Sequence, residues 1–453
     1  MEKASMPDAQ WVCNRPRYCD AGTAPIHFSD GRGGLEGMGM TAVIQEGRVA
    51  ARQHGAMEYS QAPTDLDAVR MYRLGRVRDE LKRRDYAAIV LYDQLNTRYA
   101  TDATDMQLWC SHNENRYVFV PAEGPVIVFE YAGLAHLSEG LPGVDEVRKA
   151  TCWYYFAAGD RCREMVVQWA DEIVDLVARH GGGNKRVAID RCGPLGVQEL
   201  SRRGLSIQDG FEVMEVAREI KSPGEILLMR HSIDVCQQGL EAMRQALHPG
   251  ITENALWAKL HERNIALGGE WIETRLLSSG PRTNPWFRES SMRVIEEGDI
   301  VSVDTDLVGP YGYCCDMSRS WVCGEGRASD EQRRLYAAAV EQIEFNMGLL
   351  KPGMSFRELS ESAWKIPAEF HDNRYSCVAH GVGLCDEYPT IKHRSDLDAR
   401  GYDGIIHPGM TLCVESYIGA SGGREGVKLE EQVLITEDGC EKLTNYPLQL
   451  ELL

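Results

Sequence analysis

The sequence predicts a mixed α/β (α+β) protein with an N-terminal α/β domain and a C-terminal domain built on antiparallel strands. Residues 65–218 alternate helix-like apolar spacing with the short apolar runs that are typical of strands. Residues 219–453 open with helix signals and continue into acid-bearing strands, two of which flank the turn-like GPYGYCC. A chain of 453 residues is also too long for one ordinary core, so at least two domains are expected.

The N-terminal half begins with an arm and continues as an α/β domain. Residues 1–64 are rich in glycine, arginine and polar residues with little periodicity, which predicts an irregular segment. Leu74, Val77 and Leu81 then recur at helical spacing, and the apolar run AAIVLYD predicts a strand. Further strands are predicted at 117–120, 125–131 and 186–190, with a helix around 166–177, and the domain ends near residue 218.

The C-terminal half starts with two predicted helices. Pro223 stands where a helix can begin, Glu225 follows in its first turn, and Pro249-Gly250 ends the pattern. The first helix therefore runs to about residue 247, and a second covers 252–267. After them we predict strands near 273–279, 300–308, 411–418 and 426–436, with helices at 329–350 and 355–369.

Composition excludes several classes of partner. A formal charge of −19 argues against binding to nucleic acid or to an anionic membrane. No apolar run has the length of a membrane-spanning helix, and the start MEKASMPDAQW lacks the pattern of a secretory signal. The 14 cysteines show no metal-like CxxC spacing and lie partly in apolar stretches, so we predict a cytoplasmic chain with mostly reduced thiols.

Acidic residues and one histidine in the last third of the chain predict a dinuclear metal site. Asp304 and Asp306 are two apart in an extended stretch, so both side chains should point to one face of a strand. Two carboxylates there repel each other unless a cation lies between them. The turn GPYGYCC would bring Asp316 alongside them. The other candidates are His380 in AHGVGLCDEYP, Glu415 in MTLCVES and Glu430 in GVKLEEQVLIT.

Each of these acids alone is more often part of a structural salt bridge, because a core-facing acid always needs a partner. Five acids together with a histidine favour a metal site instead. Hard oxygen donors with one imidazole suit Mn, Fe, Co or Zn, and two such ions can clamp a carboxylate between them.

The order of motifs resembles the pita-bread metallopeptidase superfamily of methionine aminopeptidase, aminopeptidase P, prolidase and creatinase. The matching stretches are IKSPGEILLMR, the segment from Asp304 to Asp316, HGVGLCDEYP, PGMTLCVES and GVKLEEQVLITEDGCEKLT. The resemblance implies a pita-bread domain with a curved antiparallel sheet at 219–453, a creatinase-like domain at 65–218, and a homodimer. It also implies that Asp304, Asp316, His380, Glu415 and Glu430 take the family's five metal-ligand positions.

Three departures make the chain similar to the DddP-type dimethylsulfoniopropionate lyases, non-peptidase members of that superfamily. Asp306 adds a sixth candidate ligand, Asp386 replaces the family's second histidine, and SSGPRTNPWFRES lacks a histidine that peptidases usually keep. This resemblance implies two metal ions, expected to be iron with Mn, Co or Zn as alternatives. It also implies a small zwitterionic substrate and Asp386 as the general base.

The chemistry of the site agrees with elimination. Peptide hydrolysis needs a donor for the oxyanion and the leaving amine, which an ionised Asp386 cannot supply. β-Elimination needs only metals and one base. The sulfonium group would fit among aromatic rings, for which Trp286, Phe287, Tyr375 and Tyr388 are candidates, with Tyr375 taken as a site residue. Five carboxylates carry −5 against +4 for two divalent ions, which should weaken hydroxide binding or favour one ferric ion.

Other functions stay open at this level. A prolidase-like or aminopeptidase P-like hydrolase would release proline from X-Pro peptides, and a creatinase-like hydrolase would cleave a C–N bond without needing metal. A binding module related to peptidases would have lost its metal ligands, whereas this chain keeps all five positions.

Overall fold

The computed structural model describes residues 62–324, 328–449 and 452, which all belong to one compact unit. The predicted arm at 1–64 therefore lies outside the described residues except for its last three positions. The helices, in chain order, are α1 Leu66–Arg83, α2 Gln94–Thr101, α3 Gln107–His112, α4 Tyr155–Ala158, α5 Cys162–His180, α6 Pro194–Arg202, α7 Phe211–Arg218, α8 Pro223–Ala246, α9 Glu253–Ala266, α10 Asp330–Leu349, α11 Phe356–Ser362, α12 Ala368–His371 and α13 Arg394–Arg400.

The strands lie between these helices, singly or in runs. They are β1 Ala88–Leu91, β2 Tyr117–Pro121, β3 Ile127–Glu130, β4 Glu146–Lys149, β5 Arg186–Ile189, β6 Ser206–Asp209, β7 Trp271–Ile272, β8 Leu277–Ser279, β9 Ile300–Asp304, β10 Leu307–Val308, β11 Cys314–Cys315, β12 Ser318–Val322, β13 Ala379–Val382, β14 Asp386–Ile391, β15 Thr411–Ile418, β16 Val427–Ile435 and β17 Cys440–Lys442. Within the described ranges, no helix combines the length and apolar character needed to span a membrane.

The N-terminal half is a mixed sheet covered by helices on both faces. Its strand order is β4-β3-β2-β1-β5-β6, with β1 parallel to β5 and antiparallel to β2. Side chains alternate along β1, so that Ile89 packs in the core that contains Val77 of α1, whereas Val90 packs with Trp169 of α5. This arrangement confirms the predicted α/β character of the region.

The C-terminal half carries antiparallel sheets, as the sequence predicts. One sheet has the order β12-β9-β8, a second has β14-β13-β15-β16-β17, and a third has β11-β10-β7. Side chains on β12 join the first two sheets, because Ser320 Oγ donates to the Lys428 carbonyl at 2.8 Å and Arg319 Nη1 donates to the Glu430 carbonyl at 2.9 Å. The two sheets thus meet along β12 and β16, which brings the acid-bearing strands together.

Helix α8 begins as its sequence predicts. Ser222 caps the helix through a capping box with Glu225, and Pro223 takes the first helical position, where its missing N–H costs nothing. The helix ends at Ala246, close to the predicted end. The predicted boundary between 218 and 219 stays a prediction.

Three local predictions were wrong. The helix predicted at 355–369 is two short helices, α11 and α12, because the chain leaves the helical conformation from Ala363 and Pro367 precedes α12. The strand predicted near 273–279 is confined to β8, Leu277–Ser279, and strands β13 and β14 were not predicted. The strand predicted at 300–308 ends at Asp304 and resumes as β10 at Leu307, since Asp306 adopts a left-handed backbone with φ 36°.

Candidate metal centre

The pairing of β9 with β12 positions the first carboxylate. Asp304 is the last residue of β9 and lies directly opposite Ser318 in the antiparallel register. Ser318 Oγ donates a hydrogen bond to Asp304 Oδ1 at 2.7 Å. Asp304 is 2% exposed, so its carboxylate is fixed in the interior rather than hydrated.

Asp306 and Asp316 converge, although Asp306 is not placed as predicted. Because the strand breaks, Asp304 and Asp306 do not share one face of a continuous strand. Thr274 Oγ1 instead donates to Asp306 Oδ2 at 2.6 Å and orients this side chain. The predicted hairpin is present, with Leu307 of β10 opposite Cys315 of β11, and it returns Asp316 to the site. Carboxylate oxygens of Asp306, Asp316 and Asp386 lie within 4.8 Å of one another.

Glu415 and Glu430 come from the central pair of the five-stranded sheet. They are directly opposite each other on β15 and β16, and both are almost completely buried. On the other face of these strands, Val414 and Val433 enter a hydrophobic core. Alternation along each strand therefore holds both glutamates toward the site.

His380 on β13 completes the predicted set. Its Nε2 lies 3.0 Å from Glu415 Oε1, 3.5 Å from Asp316 Oδ2 and 3.6 Å from Glu430 Oε1. Its Nδ1 lies 3.0 Å from the carbonyl oxygen of Gly381. A hydrogen bond from Nδ1–H to this carbonyl would hold the ring with Nε2 facing the carboxylates, which is the usual arrangement of a metal-binding histidine.

The acids of the site hinder one another's ionisation. Burial, together with the charges of neighbouring carboxylates, raises the pKa of Asp304 to about 7 and that of Glu415 to about 7, although Lys428 opposes both shifts. Burial and neighbouring carboxylates also raise the pKa values of Asp306 and Asp316 well above their usual range. A bound cation would relieve this repulsion.

Two buried oxygen atoms support a metal site independently of the charge. Asp316 Oδ1 and Glu430 Oε1 have no hydrogen-bond partner among the described residues. Such atoms are costly to bury unless something else binds them. Oxygen donors with one imidazole are the chemistry of a divalent transition metal, so the residues present fit the metal pair that the sequence predicts.

A further group of close donors includes a cysteine that the sequence analysis treated as an ordinary strand residue. The Cys413 Sγ atom and ligand atoms of Asp316, His380 and Glu430 lie within 4.8 Å of one another. Asp304 and Glu415 belong to neither of the two close groups, and both instead contact a lysine.

Sequence analysis missed this lysine. Lys428 Nζ lies 2.7 Å from Glu415 Oε2, 2.9 Å from Glu430 Oε2 and 3.3 Å from Asp304 Oδ2. Burial opposes its charge, but these three carboxylates raise the pKa of Lys428 well above its usual value. The signal was available, since Lys428 precedes Glu430 by two positions in a strand and therefore shares its face.

Asp386 lies at the mouth of the site, at the start of β14. Its side chain is 59% exposed, and its Oδ1 is 3.7 Å from His380 Nδ1. Burial raises the pKa of Asp386; His380 and Lys428 oppose this shift, and Glu430 and Glu387 reinforce it. Asp386 and His380 line a pocket of ≈ 480 Å³ together with Tyr388 and Tyr402, whose rings stack at 5.6 Å.

The adjacent Glu387 anchors this segment. It is buried, and its Oε1 accepts a hydrogen bond from the Leu384 backbone at 2.8 Å. Its Oε2 pairs with Arg218 Nε at 3.2 Å and lies 3.6 Å from Lys221 Nζ. Two cations near the end of α7 therefore hold the turn that presents Asp386.

The predicted aromatic residues occupy different places. Tyr375 lies at the centre, with the Lys428 ammonium 4.5 Å from its ring centroid and Phe287 packed at 5.3 Å. Trp286 is buried against Tyr417 at 6.2 Å, which is ordinary core packing. Tyr388 lines the pocket beside Asp386.

The chain has clear relatives in sequence. Residues 227–437 match the model of metallopeptidase family M24. The chain is 43% identical over 394 residues to the dimethylsulfoniopropionate lyase DddP of Roseovarius nubinhibens, covering 86% of this chain and 88% of that protein. It is also 43% identical over 394 residues to DddP of Roseobacter denitrificans, with the same coverage.

Solved structures show the same fold. The Xaa-Pro dipeptidase from Bacillus anthracis has a TM-score of 0.67 at 20% identity and covers 84% of this chain and 98% of its own. The prolidase from Pyrococcus horikoshii has a TM-score of 0.67 at 20% identity and covers 83% of this chain and 99% of its own. These likenesses confirm the predicted pita-bread fold, and at this identity they concern the fold alone.

Proposed function

Because the chain belongs to the family of the DddP dimethylsulfoniopropionate lyases, within the pita-bread superfamily, we propose that it cleaves dimethylsulfoniopropionate to dimethyl sulfide and acrylate. The reaction is a β-elimination. We assign the metal-ligand roles to Asp304, Asp306, Asp316, His380, Glu415 and Glu430, and the role of general base to Asp386. Iron is the proposed metal, with manganese, cobalt or zinc as alternatives.

The position of Asp386 is the observation that carries this proposal. Its carboxylate lines the pocket next to His380, where a substrate bound at the metal centre would come within its reach. A carboxylate there can accept a proton from the substrate carbon and so act as the general base of an elimination.

The β-elimination needs a single proton acceptor. Asp386 takes the proton from the carbon next to the substrate carboxylate, and the C–H electron pair becomes the second bond of the acrylate double bond. The carbon–sulfur pair leaves with sulfur, which converts the sulfonium into neutral dimethyl sulfide. When bound, the two metal ions would supply Lewis-acid stabilisation of the negative charge that develops at the substrate carboxylate.

The walls of the pocket suit the cationic end of this substrate. The stacked rings of Tyr388 and Tyr402 offer aromatic surface beside Asp386, and aromatic faces attract sulfonium cations as they attract ammonium ions. Tyr375 is proposed to line the inner side of the site, where one cation, Lys428, already contacts its ring. A homodimer and a cytoplasmic location remain predictions, of which light scattering of the purified protein tests the first.

The proposal is tested by incubating purified, metal-loaded protein with dimethylsulfoniopropionate and, separately, with X-Pro dipeptides. We expect dimethyl sulfide in the headspace and an equal amount of acrylate, both abolished by a chelator and restored by metal. Release of proline without dimethyl sulfide would instead identify a prolidase-like hydrolase and refute the lyase.

A further inference from the structure

The buried ammonium group of Lys428 changes the charge of the proposed metal centre. Lys428 is fully buried on β16, and its Nζ donates three hydrogen bonds, to Ser318 Oγ at 2.7 Å, Glu415 Oε2 at 2.7 Å and Glu430 Oε2 at 2.9 Å. An ammonium group has three donors, so all of them are used. The residue is therefore held as a cation in a fixed place.

The two oxygen atoms of each glutamate carboxylate make different contacts. Their Oε2 atoms bind Lys428, whereas their Oε1 atoms face His380, with Nε2 at 3.0 Å from Glu415 and 3.6 Å from Glu430. Glu430 Oε1 has no hydrogen-bond partner among the described residues. The oxygens that remain for a metal are thus on the side away from Lys428, and metal binding does not require Lys428 to leave.

Including Lys428 changes the net charge that the bound metal ions must balance. The five assigned ligand carboxylates carry −5, and the buried Lys428 beside them reduces this charge to −4. Asp386 is not counted, because its side chain is 59% exposed and its charge is screened by solvent. Two divalent ions carry +4 and match that charge. One divalent and one trivalent ion would carry +5, which matches only the set without the lysine.

We propose that Lys428 is a positioning residue that stays beside the loaded metal pair and adjusts the centre to two divalent ions. This inference rests on the metal pair of the proposed function, and it replaces the expectation of one ferric ion. Lys428 touches the proposed metal ligands and has no assigned contact with substrate, so it acts through the ligands. A lysine that only fills the site until metals arrive would be displaced when they bind.

The choice between divalent and trivalent ions provides the test. Apoprotein of the wild type, Lys428→Met and Lys428→Arg is loaded from citrate-buffered mixtures of Co²⁺ and Ga³⁺, and bound metals are measured by mass spectrometry. We expect two cobalt ions in the wild type and in Lys428→Arg, which keeps the charge. Lys428→Met should raise the bound ratio of gallium to cobalt by about tenfold or more, since a cation repels Ga³⁺ more strongly than Co²⁺.

A wild-type metal ratio in folded Lys428→Met would overturn the proposal. If that variant does not fold, a crystal structure of the cobalt-loaded wild type decides instead. We expect Lys428 Nζ to remain in hydrogen-bond contact with Glu415 and Glu430, and its displacement would overturn the proposal. Neither readout uses dimethyl sulfide, so a failure here is distinguishable from a failure of the lyase proposal.

Discussion

Glu415 and Glu430 are directly paired residues on adjacent antiparallel strands, and both are buried. Like charges at such a pair destabilise a sheet, because the side chains of opposite residues are neighbours. Burial and the charge of Glu430 raise the pKa of Glu415 to about 7. Burial would also raise the pKa of Glu430, but Lys428 outweighs this effect and holds that pKa well below its usual range. Lys428 offsets part of this repulsion, and a bound metal cation would offset more of it.

The first prediction concerns that pair. Glu430→Ala removes an oxygen that has no hydrogen-bond partner among the described residues and faces His380, so bound metal and lyase rate should both fall by about tenfold or more. Metal content by mass spectrometry and dimethyl sulfide release are measured on the same sample. Glu437→Ala, at an exposed position, is the matched control and should leave both unchanged. Full metal content and full rate in Glu430→Ala would remove this residue from the ligand set.

The second prediction concerns Asp306, the extra acid of the site. Its φ of 36° lies in the left-handed region that glycine adopts freely, so Asp306→Gly should fold without strain and restore the peptidase-like pattern. We expect the variant to bind some metal but to lose dimethyl sulfide release. Asp306→Asn keeps the side-chain shape without the charge and separates the effect of charge from that of volume. Wild-type rates in both variants would contradict a role for Asp306.

The third prediction concerns the support of Asp386. Arg218→Met leaves the buried charge of Glu387 with a weaker set of partners, which should lower the free energy of unfolding by about 3–5 kcal/mol. The double variant Arg218→Met/Glu387→Met removes both charges and should recover part of that loss. Urea unfolding of the two single variants and the double variant measures the coupling. Strictly additive losses would show that the two side chains do not act as a pair.

The fourth prediction concerns pH and His393. Burial lowers the pKa of His393 to about 4, with a contribution from Arg374. In the unfolded chain this imidazole takes up its proton near pH 6.5, whereas in the folded protein it does so only near pH 4. Stability is therefore unaffected by this group above pH 6.5, and the free energy of unfolding decreases by up to about 3 kcal/mol as the pH falls toward 4. The unfolding free energy of the wild type, minus that of His393→Gln, should therefore become smaller as the pH falls from 7 to 4.5. A difference independent of pH would contradict this account.

Much of the fold could be predicted because its periodicities are strong. Leu74, Val77 and Leu81 do form one face of α1, and the capping residues around Pro223 do start α8. The strand that carries Glu415 was recognisable because a single acid stands in a run that has no other charged residue. Such local patterns are set by solvent exposure and by hydrogen-bond caps, which act within a few residues.

Features that depend on tertiary contacts could not be predicted in the same way. The glycine-rich HGVGL segment gave no strand signal, yet β13 is held between β14 and β15 by backbone pairing to both. The left-handed turn at Asp306 depends on its neighbours and on Thr274, which is remote in sequence. The contacts of Lys428 with Asp304 and Glu415 also depend on the tertiary structure, although its spacing from Glu430 already places both residues on one face of β16.

The most direct test of the account is the rate of dimethyl sulfide release by Asp386→Asn compared with the wild type at equal metal content. Asparagine keeps the shape of the side chain and its place beside His380 but removes the basicity. If Asp386 is the general base, the variant should bind both metals and fold normally while its rate falls by about two to four orders of magnitude. A metal-replete Asp386→Asn enzyme that releases dimethyl sulfide at near the wild-type rate would contradict the proposed mechanism.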